Sequence, residues 1–178
     1  MPGSSGIGGR PTAVGPVLVG AIGLPWFADL DTAVGFERQF QGPGWPRSVI
    51  VEDLSYEAHR VLDRLLEIRP SHVVLVAERR AGDVPVGGVR RSVLDLTPPP
   101  DAEVHQRLFE SVSLGVVDLS HTLAVARYWK ALPQGTVVIE ADTSALVASC
   151  PAGSRALVEE VLVLVHDAVV RRPSGVPR

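Results

Sequence analysis

Apolar residues in this chain come in short, nearly unbroken runs. Val17 to Ile22, Ser48 to Glu52, His72 to Ala77 and Thr136 to Glu140 are rich in Val, Ile and Leu. Such runs fit strands buried on both faces of a sheet. Gly87 to Asp95 alternates more and carries charge, which predicts an edge strand in antiparallel pairing. Asp83, Pro85 and the neighbouring glycines predict a turn before it. Between the runs, helices are expected over Thr32 to Phe40, Ser55 to Ile68, Ala102 to Ser111, Leu119 to Ala131 and Ser154 to Val170. Ser55 and Ser154 stand where they would cap the second and the last of these. Leu157, Val161, Leu164, Val165 and Ala168 form an apolar stripe on the last helix. Thr97 to Pro100 is a stiff connector.

Strands alternating with helices predict one α/β domain. Its architecture is three-layer α/β/α around a mostly parallel twisted sheet of about five strands, with one edge strand antiparallel. The domain is expected over residues 17–171. Residues 1–16, rich in Gly, Ser and Pro, read as a flexible tail, and 172–178 as a second one.

The 178 residues suffice for a single domain with a real core, and an apolar fraction of 46% argues against disorder. A net charge of -3 argues against a nucleic-acid partner, because nonspecific binding needs a basic surface. The lone Cys150 excludes an internal disulfide framework and a multi-cysteine zinc site. No apolar stretch reaches the roughly 18 to 20 residues that cross a bilayer. No basic start followed by an apolar segment opens the chain. The expectation is a cytoplasmic monomer with no membrane or nucleic-acid partner.

Candidate chemistry lies where strands end. The first run closes at Gly23, and the loop beyond it carries Asp29 and Asp31 to the start of a helix. Asp31, Asp53 and Glu78 follow the first, second and third strands. In open α/β sheets ligands bind beyond the carboxyl ends of the strands. Carboxylates gathered there can bind a divalent cation or share a proton. The alternative is that each caps a helix or pairs with a neighbouring arginine, such as Arg79 or Arg80. His121, near the start of a helix, reads either as a ligand or general base or as a solvated surface residue.

Several motifs are absent. The histidines make no zinc-protease pattern, and there is no phosphate loop and no Gly-x-Ser-x-Gly elbow. Gly20-Ala21-Ile22-Gly23 lacks the three-glycine spacing of a dinucleotide site. Cys150, beside Pro151, reads as an ordinary small residue rather than a nucleophile.

The order of these elements resembles the maturation endopeptidases of nickel–iron hydrogenases. Val17 to Gly23 and Asp31-Thr32-Ala33-Val34-Gly35 resemble the family's opening strand and acidic loop. Glu52 to Tyr56 stand at its Asp-Gly-Gly-Thr segment, and Ala77-Glu78 match its third-strand acid. Ser113-Leu114-Gly115 and the helix up to Arg127 stand at its Ser-x-His loop and following helix. Ile139 to Asp142, then Cys150-Pro151 and a long apolar helix, resemble its ending.

The resemblance implies a hydrolase that removes the C-terminal tail of the nickel–iron hydrogenase large-subunit precursor after nickel insertion. The precursor's own nickel would be the recognition element, with no cofactor held tightly by the peptidase. Glu78 falls on one of the family's three nickel-recognition positions. A second falls on Thr32, with Asp31 one position earlier, and the third on Gly115, with His121 farther along. The motif is therefore incomplete. The expected nickel contacts are Asp31, Glu78 and His121, and Asp31 and Asp53 are the expected catalytic carboxylates that position or deprotonate water. Two alternatives stand beside this. One is a catalytically impaired assembly factor that docks on the precursor. The other is an unrelated small-molecule-binding α/β protein, since a fold does not fix a function.

Overall fold

The computed structural model describes residues 15–23, 45, 48–79, 88–115, 117–142 and 151–171. Asp29, Asp31, the helix expected over Thr32 to Phe40, the turn at Asp83 and Pro85, Arg80 and Cys150 lie outside the described residues.

The continuous aliphatic runs form the strands expected of them. They are β1 (Val17–Ile22), β2 (Val49–Asp53), β3 (His72–Glu78) and β5 (Val137–Ala141). The alternating segment supplies β4 (Val89–Val93). Together they make one five-stranded sheet in the order β2-β1-β3-β5-β4. The first three pairings are parallel, and β4 closes the edge antiparallel to β5. Helices α1 (Ala58–Ile68), α2 (Asp101–Leu114), α3 (Leu119–Tyr128) and α4 (Pro151–Val170) surround it.

Alternation along the strands divides the core in two. Val17, Val19, Ala21, Val74, Val76 and Ile139 pack on Leu157, Val161, Val165 and Ala168 of α4. Leu18, Ile22, Val73, Leu75 and Ala77 pack on Leu54, on Val61 and Leu65 of α1, and on Ala126 of α3. Each fully buried Val, Leu or Ile contributes roughly 1.5–3 kcal/mol. Both faces of the sheet are therefore covered, which is why β1 and β3 carry no polar side chains to solvent along most of their length. Gly20 has a packing role here, because a Cβ at that position would collide with Leu54 Cδ1 and press on Leu75. The helix α2 rides outside α1 and α3. Its Ser111 Oγ accepts the Ala58 amide proton at 3.0 Å.

Local signals went astray at helix ends. The first residue of α1 is Ala58, preceded by Glu57 with no side-chain cap. Ser55 does not cap it, because its hydroxyl instead accepts from the Gly23 amide at 2.9 Å. The helix α4 begins at Pro151, so Ser154 lies inside it and is not its cap. Proline suits a first helical turn, where its missing N–H has no partner to lose. Ser113 and Leu114 are helical rather than looped, and α2 ends at Gly115 with φ 64°. The helix α3 stops at Tyr128, short of Ala131. Gly15 and Pro16, expected in the tail, are bound to the body through Ser71, whose hydroxyl and amide donate to their carbonyls. Among the described residues no helix is long and apolar enough to cross a membrane.

Candidate functional site

The parallel strands β1, β2 and β3 all end on the same side of the sheet. Ala21 is in register with Asp53 of β2 and with Val76 of β3, and Ile22 with Ala77. From β1 the chain passes to β2 on one side, then crosses through α1 to β3 on the other. This reversal of direction opens a crevice beyond the strand ends, the usual ligand position in such sheets.

Asp53 and Glu78 both lie at this edge. Asp53 continues the Val49 and Val51 side of β2, and Glu78 the Val74 and Val76 side of β3. Both therefore belong to the sheet face covered by α4. One strand separates them, so their backbones are about 10 Å apart across the sheet. Asp53 is exposed and accepts the Ser55 amide through Oδ1 at 2.9 Å.

The acid beside Glu78 is Asp142. Glu78 is in register with Ala141 at the end of β5, and Asp142 follows. Asp142 is buried, and its amide donates to the Gly88 carbonyl at 3.0 Å. Arg79, also buried, donates its amide to Ala141 at 2.8 Å. Desolvation, then the negative charge of Asp142, push the Glu78 carboxyl above its ordinary value. The sequence reading did not single out Asp142 as a site residue. It follows a parallel strand as Asp53 and Glu78 do, so the same strand-end rule could have found it.

His121 sits in the opposite helical layer. The helix that carries it, α3, packs on the α1 face of the sheet through Ala126. His121 is 4% exposed, so the solvated reading of this residue is overturned. The cause is α2, which brings Glu110 against it. His121 Nε2 lies 2.8 Å from Glu110 Oε2, and Nδ1 lies 2.8 Å from Asp118 Oδ1. Asp118 is also the N-cap of α3 and accepts the His121 amide at 2.9 Å.

Burial pushes the Asp118 carboxyl up, but the backbone and side-chain hydrogen bonds from His121 and the one from Ser120 outweigh it, and the net shift is downward. Hydrogen bonds from Gln106 and His121 lower Glu110. Glu110 and Asp118 were not foreseen. For Asp118 the signal was its place three residues before His121 at a helix start.

The turn joining α2 to α3 reaches the crevice. Gly23, at φ 63°, ends β1 within ordinary contact of the Val117 carbonyl, 3.6 Å from where its Cβ would stand. The end of β1 thus lies beside both the segment after β2 and the residue before the N-cap of α3. Among the described residues no group of three His, Cys, Asp or Glu side chains is arranged to hold a metal ion.

No family profile matches the chain, and no curated protein does. The fold is similar to the crystal structure of a hydrogenase 2 maturation peptidase from a Thaumarchaeota archaeon. The TM-score is 0.51 and the identity 20%, over 86% of this chain and 97% of that one. What the chain shares with that peptidase at this identity is the α/β fold.

Proposed function

We propose that this chain is a peptidase of the hydrogenase-maturation type, cleaving the C-terminal tail of a nickel–iron hydrogenase large-subunit precursor after nickel insertion. The observation that carries the reading is the likeness in fold to a hydrogenase 2 maturation peptidase along almost the whole of that structure. The strand-end acids support it. Asp53 and Glu78 stand at the edge where an α/β sheet binds its ligand. In this reading Glu78 and Asp31 contact the nickel of the substrate, and Asp31 and Asp53 position or deprotonate water. The cytoplasm is the proposed compartment.

His121 favours a second reading. Both its nitrogens are held by carboxylates, so it offers no free lone pair to a metal. A protein that kept the fold and lost the third nickel contact would dock on the precursor without cutting it. Incubation of the purified protein with nickel-loaded precursor separates the two. Tail release shows the peptidase. Complex formation without release shows the docking factor. Neither complex nor release would sink both readings.

A further inference from the structure

Strand β4 closes one edge of the sheet. Its hydrogen-bond phase is fixed at both ends. The Asp142 amide donates to the Gly88 carbonyl at 3.0 Å, and the Leu94 amide to the Thr136 carbonyl at 2.9 Å. Both pairs continue the β4–β5 register. In an antiparallel ladder the bonded pairs alternate along the strand. Gly88, Arg90, Ser92 and Leu94 therefore turn their backbone groups to β5, and Val89, Arg91 and Val93 turn theirs outward. Among the described residues no strand pairs with that outer side.

Edge strands commonly carry charges that repel a second strand. Here each arginine has an acid next to it in its own chain. Arg90 stands opposite Glu140 of β5 in register. Arg91 Nη1 donates to Asp167 Oδ2 of α4 at 2.6 Å. The flank beside β4 is apolar as well. Val93 lies two residues from Arg91 and shares its α4 side of the strand. Val163 and Val170 stand four before and three after Asp167, on the same stripe of α4. Val93 is 69% exposed, Val163 67% and Val170 65%. Three valines thus stand largely bare along one open strand edge.

We propose that β4 pairs antiparallel with β4 of a second copy about a two-fold axis at Arg91, in place of the monomer expected from the sequence. Val89 then faces Val93 of the other copy, and Arg91 faces Arg91. The strand is self-complementary about that axis, as a two-fold interface requires. Its three outward residues would form about six backbone hydrogen bonds. Like charges directly opposite repel, and Asp167 beside each Arg91 offsets that repulsion. The axis places both α4 helices on the same face of the joined sheet. An extended peptide would meet the same backbone groups and leave Val163 and Val170 bare. A second copy brings its own helix to cover them. One short strand and one helix stripe fall at the small end of stable interfaces, so a micromolar dimer is expected. The pairing does not depend on the function proposed above.

Sedimentation velocity on the full chain reads the mass as concentration rises. A shift from 19.0 kDa towards twice that is expected in the micromolar range. Val93→Glu and Val163→Glu change exposed positions, so circular dichroism should stay the same while the dimer weakens by about tenfold or more. Asp167→Asn leaves two guanidiniums facing across the axis and should weaken it as well, with added salt restoring part of the loss. The register is read by cross-linking. Arg90 stands opposite Ser92 of the other copy, with Cα atoms about 4.5 Å apart, within reach of a disulfide. On a Cys150→Ala background, Arg90→Cys mixed with Ser92→Cys should cross-link on oxidation, and neither alone should. A chain that stays monomeric up to about 100 µM, a dimer untouched by Val93→Glu and Val163→Glu, or cross-linking of one variant alone would overturn the proposal.

Discussion

The Gly23 amide donates to Ser55 Oγ at 2.9 Å, which ties the end of β1 to the segment after β2. These two ends frame the crevice, and the bond spans 32 positions of sequence. Ser55→Ala removes the acceptor and should cost about 1 kcal/mol, the usual net value of such a bond. Urea unfolding measures it. No change in midpoint would show that water replaces the serine hydroxyl.

Gly20 is expected to tolerate no side chain. A Cβ there meets Leu54, which is fully buried and has little room to move. Gly20→Ala should destabilise by about 1–3 kcal/mol through overpacking. Leu54→Ala alone should cost about 2–5 kcal/mol. The double variant should be less damaged than the sum, because the new methyl fills part of the lost volume. Simple additivity in thermal melts would mean that the two positions do not share space.

The carboxylate beside His121 should make stability fall in acid. Asp118 is held below its ordinary value of 3.8, so its contribution is fully present above that value. It is lost as the pH falls through the lower folded value. Asp118→Asn should therefore lose stability at pH 7 and converge with the native chain in acid, below the folded value. His121→Leu should also flatten the acid limb, since both of its carboxylate contacts disappear. An acid limb unchanged in Asp118→Asn would place the effect elsewhere.

Glu78 has the opposite sign. Its carboxyl is raised above 4.5, so the ionised form is disfavoured in the fold. Stability from this group is present at low pH and lost as the pH rises through the folded value. Glu78→Gln should leave stability at pH 7 unchanged or slightly higher. If the protein is a working peptidase, the same change should slow precursor cleavage by at least about tenfold, equivalent to roughly 1.4 kcal/mol in the transition state. Normal cleavage by Glu78→Gln would remove Glu78 from the site.

What the sequence determined by itself, among the described residues, is the set of strands and the layered architecture. Val17 to Ile22 and His72 to Ala77 are unbroken aliphatic runs, and only a sheet covered on both faces buries them completely. The charged alternation around Arg90 and Arg91 marked an edge strand for the same reason, because one side faces water. The positions of Asp53 and Glu78 at one end of the sheet followed from parallel pairing. The rest depended on contacts between distant segments. Ser55 obeys a local capping preference only if no better donor arrives, and Gly23 arrives. His121 looks like a surface residue until α2 brings Glu110 over it. Asp142 reaches Glu78 only because β5 settles between β3 and β4, parallel to β3. Periodicity reports how much of each segment is buried. Which charges meet is decided by strand order and helix packing, and those are properties of the whole chain.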